Sequence, residues 1–77
     1  MEITDIKKVK VTGGIWDVYL IGKENDEYIV ADFYKHNFVE DYNTVGKTKT
    51  YEDALLLIKK ESGQEIIEIE DANYISW

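Results

Sequence analysis

Apolar and polar residues alternate cleanly in the first part of the chain, where Val9 and Val11 are interleaved with Lys8 and Lys10. That period of two marks a half-buried strand. Gly13-Gly14 follows, and a glycine pair suits a two-residue primed turn, because glycine reaches positive φ at little cost. Such a turn predicts a hairpin with Val11 opposite Trp16, Lys10 opposite Asp17, Val9 opposite Val18 and Lys8 opposite Tyr19. Val9, Val11, Trp16, Val18 and Leu20 then share the core face, and Lys8, Lys10, Asp17 and Tyr19 share the other.

The polar run Gly22-Lys23-Glu24-Asn25-Asp26-Glu27 predicts a second surface turn. With Ile21 opposite Tyr28, Leu20 meets Ile29, Val18 meets Ala31 and Trp16 meets Phe33. Tyr19, Ile21, Tyr28, Val30 and Tyr34 are gathered on the reverse side. A third turn near Tyr34-Lys35-His36-Asn37 returns a fourth strand over residues 38–45. Thr50 is a suitable N-cap, with Glu52 and Asp53 in the first turn after it. Tyr51, Ala54, Leu55 and Ile58 follow at helical spacing, Lys59 and Lys60 suit the last turn, and Gly63 is the stop. The helix is expected over about residues 51–62. Residues 66–70 and 74–77 close the chain as a strand or hairpin around Asp71-Ala72-Asn73. The order β-β-β-(β)-α-β(-β) predicts an α+β domain, a small antiparallel sheet of four to six strands with one helix packed on one face.

At 77 residues the chain makes one domain with a thin core, and it has no cysteine to staple it. Without thiols, a leader-like segment or a long apolar run, the expected location is the cytoplasm. The formal net charge is −7, and all nine basic residues are lysines. An acidic, arginine-free chain argues against nucleic acid as a direct partner, since phosphate neutralisation and base reading favour clustered Arg and Lys. The negative charge is densest in the middle: residues 24–46 hold six acids against one lysine.

Few groups suggest catalysis. Gly46-Lys47-Thr48 precedes the helix as in a phosphate-binding loop, but Asp41 stands where that motif needs its first glycine. His36 is the sole histidine, there is no cysteine nucleophile, and a zinc site would need carboxylates for every other ligand. Asp17 and Asp32 face each other in the expected register, an arrangement that raises a carboxyl pKa or calls for a neutralising neighbour such as Lys10. Glu24-Asn25-Asp26-Glu27 lacks calcium-loop spacing. The chain is thus read as non-enzymatic, with no catalytic residue, cofactor or metal site.

Two surfaces remain as candidates for binding. One is the acidic set Glu24, Asp26, Glu27, Asp32, Glu40 and Asp41, suited to a basic protein partner. The other is the tyrosine-rich sheet face, Tyr19, Ile21, Tyr28 and Tyr34, suited to a protein partner or to a homodimer. Leu56 lies about 140° around the helix from Tyr51, among charged residues, and is expected to be exposed. In bulk properties the chain is similar to phage-encoded anti-CRISPR and anti-restriction DNA mimics. The likeness rests on size and charge, and it implies an inhibitor that offers carboxylates in place of phosphates and blocks a nucleic-acid-binding host protein. The alternative expectation is an interaction module or homo-oligomer, ligand-sequestering in one variant, joined through the tyrosine face. No membrane partner is expected.

Overall fold

The computed structural model describes residues 3–13, 17–36, 39–75 and 77, and of residues 34–36 and 39–41 it describes the backbone without the side chains. Five strands form one antiparallel sheet: β1 (Thr4–Val11), β2 (Val18–Glu24), β3 (Glu27–His36), β4 (Val39–Thr48) and β5 (Ile66–Asp71). Among the described residues one helix, α1 (Tyr51–Ser62), sits between β4 and β5 in the chain. The spatial order is β4-β3-β2-β1-β5, so the α+β expectation holds. The fourth strand runs from Val39 to Thr48, longer than the pattern suggests.

The caps of α1 are those legible in the sequence. Thr50 is extended (φ −127°, ψ 158°), and its hydroxyl accepts a hydrogen bond from the Asp53 amide at 3.1 Å. Gly63 ends the helix in the left-handed region (φ 68°) with its N–H donating to the Lys59 carbonyl at 2.9 Å. β4 and β5 occupy opposite edges of the sheet, so the connection must cross one face. α1 lies over that face with Glu52, Leu55, Leu56 and Lys59 along its flank towards β5 and with Leu57 against Gly46 of β4.

The expected register between β2 and β3 is displaced by two residues, with Ile21 opposite Val30 and Tyr19 opposite Asp32. A shift of two leaves the faces unchanged. β1 is different. Val9 lies opposite Tyr19 and Lys8 opposite Leu20, one residue away from the register of a tight Gly13-Gly14 turn. The connection is longer than two residues, since the Val11 amide pairs with the carbonyl of Asp17; Gly14 and Trp16 lie outside the described residues. Gly13 lies against the flexible ends of the Asp17 and Gln64 side chains. A Cβ there would meet Asp17 Oδ2 at 1.9 Å and the Gln64 amide at 2.3 Å.

That slip of one turns β1 over relative to β2 and β3. Val9 and Val11 join Tyr19, Ile21 and Val30 on the side covered by α1, where Ala54 and Ile58 complete a buried core. The tyrosine-rich side is therefore the helix-covered side, which corrects the expectation that it faces outward. Tyr19 and Ile21 are 7% and 1% exposed. Tyr28 is half-buried, edge-on to Tyr51 at a centroid distance of 5.9 Å.

The reverse side carries Ile6 and Leu20 under a C-terminal segment that contributes Ala72, Ile75 and Trp77. This segment is not a further strand. It is pinned by the Ile6 amide donating to Asn73 Oδ1 at 3.0 Å and by the Ala72 amide donating to the Ile6 carbonyl at 2.9 Å. Trp77 stacks on Tyr42, which stacks on Phe33, at 6.0 and 5.5 Å. Gly22 makes room for it, because a Cβ there would lie 2.8 Å from the indole.

Candidate interaction surface

With both broad sides of the sheet covered, the exposed large aliphatic side chains among the described residues lie at or beside one edge, while exposed Tyr74 lies apart from them with Lys8 over its ring. β5 has β1 on one flank and no described strand on the other. Its residues pair with β1 as Val9–Ile69, Lys10–Glu68 and Val11–Ile66, so Ile67 is an extra residue, a β-bulge on the edge strand. Ile67 is 63% exposed and Ile69 39%, and on the adjoining helix Leu56 is 59% exposed. Between α1 and β5 runs an open groove of about 410 Å³ whose walls include Leu55, Leu56, Ile66 and Ile69. Its rim is charged, with Glu52 and the ion pair of Lys59 and Glu65 at 3.3 Å.

This edge carries a small excess of negative charge, although Lys7, Lys10 and Lys59 are ion-paired with its carboxylates. Glu65, Glu68, Glu70 and Asp71 fall within seven residues, and the stretch holds no lysine. Lys10 Nζ serves two carboxylates, Glu68 at 3.4 Å and Glu70 at 3.9 Å. Lys7 pairs with Asp71, and that hydrogen bond holds its ammonium pKa above the ordinary value.

The acidic residues singled out from sequence do not form one field. Glu24 is paired with Lys47 at 3.0 Å, beside exposed Asp26 and half-buried Glu27 in the β2–β3 turn. Asp32 lies opposite Tyr19 near the start of β2, five residues or about 17 Å from Glu24 along the strand direction. The side chains of Glu40, Asp41 and Tyr34 lie outside the described set. Asp17 and Asp32 are near one another but not direct partners, and Lys10 is engaged elsewhere. Asp17 instead accepts a hydrogen bond from Gln64 Nε2 at 3.1 Å.

Burial, then the charges of Asp17 and Glu61, push the Asp32 carboxyl above its ordinary pKa, and burial, then the charges of Asp32, Glu61 and Asp17, raise the Tyr19 phenol. A carboxyl raised in the folded state binds its proton more tightly there than in the unfolded chain. Stability is therefore lost as pH rises through the interval between the unfolded and folded values, and is regained below it. Asp32→Asn is expected to be more stable than the parent at pH 7, with the difference vanishing in acid below the ordinary carboxylate range. Urea melts at several pH values check this, and a pH-independent difference would contradict it.

The remaining candidates resolve into structure. Gly46, Lys47 and Thr48 lie within β4, not in a phosphate-cradling loop, and the Thr48 hydroxyl donates to the Thr50 carbonyl at 2.9 Å. Glu24 and Glu27 flank a two-residue hairpin loop in which Asn25 takes φ 58°. The side chain of His36 is outside the described set. Among the described residues no group of three or more His, Cys, Asp or Glu is placed to hold a metal ion, and no helix is long and apolar enough to cross a membrane.

Leu56 is exposed as its helical position predicts. The sequence reading missed Ile67 and Ile69, whose signal is the bare apolar run Ile66-Ile67 ahead of alternating Glu68-Ile69-Glu70. No protein-family model, curated protein or solved structure matches the chain.

Proposed function

We propose that this is a small acidic, non-enzymatic binding protein whose working surface is the shoulder between α1 and β5 and whose partner is a basic protein. The observation that carries the reading is exposed Leu56 and Ile69 on the walls of an open groove rimmed by Glu52 and the Lys59–Glu65 pair, with exposed Ile67 on the same strand. Clustered exposed aliphatic side chains on a soluble domain mark contact surfaces, and acidic surroundings select and steer basic partners. The tyrosine face no longer serves as an interface in this reading, because α1 covers it.

The test compares the tagged full chain with Leu56→Lys and Ile69→Lys as baits in an extract of the cells that make it. A partner recovered by the parent is expected to bind each variant at least about tenfold more weakly, the loss typical of an interface anchor. Partners that bind parent and variants alike would place the interface elsewhere.

A second reading keeps the carboxylates in the leading role, as in inhibitors of the anti-CRISPR or anti-restriction type that mimic DNA and block a nucleic-acid-binding host protein. It is favoured by the like charges of Asp17 and Glu61 acting on Asp32. It requires binding that DNA competes and that weakens steeply with salt. Loss of binding in Asp32→Asn and Glu61→Gln, with Leu56→Lys silent, separates it from the first.

A further inference from the structure

We propose that the outer edge of β5 takes up a sixth strand from the partner, an extended segment in which lysine or arginine alternates with aliphatic residues. The inference rests on the groove reading above and specifies how the partner engages.

The two edges of the sheet are built differently. Over Tyr42–Thr48, β4 exposes Asn43, Thr44 and Lys47, the polar, lysine-bearing character that discourages pairing. β5 exposes Ile67 and Ile69 instead, and its outward N–H and C=O groups have no neighbouring strand among the described residues. An added strand would satisfy those backbone groups, as a helix laid in the groove would not.

Alternation then dictates the chemistry of the occupant. Ile69 lies opposite Val9, on the side of α1, so every second side chain of an added strand falls beside Ile69, Ile66 and Leu56 and must be apolar. Glu68 and Glu70 lie opposite Lys10 and Lys8 on the reverse side. They share the single ammonium of Lys10 in their ion pairs, while the Lys8 ammonium lies over the rings of Phe33 and Tyr74, so the intervening side chains of the added strand meet two carboxylates that share one cation. A second copy of this chain is disfavoured as occupant. Two-fold antiparallel pairing centred on Ile69 would set Glu68 against Glu70 of the other copy, and like charges across a strand pair repel.

The test is an NMR titration of the full-length ¹⁵N-labelled protein with a capped synthetic peptide alternating lysine with isoleucine and valine. Binding is expected to slow amide exchange within β5 and to shift resonances of Leu56 and Ile69. Backbone N-methylation of alternate peptide residues, made in both alternations, should weaken binding at least tenfold in the alternation that removes the edge hydrogen bonds. A peptide with glutamate for lysine should bind at least tenfold more weakly, and Ile67→Lys should weaken the parent peptide. Shifts mapping to β4, full affinity of both N-methylated peptides, or no binding at millimolar peptide would each overturn the proposal. Absent peptide binding alongside a host partner that still depends on Leu56 and Ile69 would remove strand addition and leave the groove reading standing. Peptide binding at β5 with host capture insensitive to those residues would do the reverse.

Discussion

Ile58→Ala is expected to lower the unfolding free energy by about 2–5 kcal/mol, the usual loss when a large buried aliphatic is truncated. A chain of 77 residues has about 4–12 kcal/mol in total at about 0.05–0.15 kcal/mol per residue. One substitution thus removes a large part of the whole. Ile58 is fully buried and, with Ala54, is a buried contact of α1 with Val9, Val11, Tyr19, Ile21 and Val30. The cavity would open between α1 and the central strands, among side chains that are themselves buried, where collapse of the walls is hardest. Urea denaturation followed by circular dichroism measures it. The control is Leu56→Ala, on the same helix but exposed, which is expected to stay within about 0.5 kcal/mol of the parent. Equal effects at the two positions would mean that α1 docks through a different stripe.

Ile75→Asp is expected to cost about 2–4 kcal/mol and to lift the C-terminal segment from the sheet, because a buried carboxylate without a partner is strongly unfavourable. Ile75 packs with Ile6, Leu20 and Ala72, and the segment also brings Trp77 onto Tyr42. The readout specific to lifting is loss of the near-ultraviolet signal of the stacked aromatics together with binding of a hydrophobic dye, while far-ultraviolet helix content persists. Leu20, fully buried beneath this segment, and Ile6 would become the new exposed surface. An Ile75→Asp protein with parental stability and an intact near-ultraviolet spectrum would show that the segment contributes little to the second core.

How far the sequence discloses this arrangement depends on what each element's information refers to. The helix is specified locally, and Thr50, Asp53, Lys59 and Gly63 all act where spacing puts them. The alternation of β1 is equally visible, but it states only that Val9 and Val11 share a side. Which side of the neighbouring strands they join depends on the connecting loop, and Val18-Tyr19-Leu20-Ile21 is apolar on both sides and supplies no parity. That doubly apolar run, with Ile29-Val30-Ala31, is itself the signal that both sides of the central strands are covered. Reading the connection as a two-residue turn instead inverted β1 and sent the tyrosines outward. At the candidate site, Leu56 follows from helical angle. For Ile67 and Ile69 the apolar run marks a strand but not its exposure, because that comes from β5 standing at an edge, a property of strand order.

The pairing of β1 has a kinetic consequence. It meets β2 across a short hairpin but meets β5 from the far end of the chain, with Lys7 and Asp71 separated by 64 positions. Loop-closure entropy delays such distant partners until nearer ones have formed, so β5 is expected to join a platform of β1 to β4 late in folding. The same ordering makes it the strand whose ladder opens with the least disruption to the rest, so the edge offered to visitors is also one the molecule acquires late.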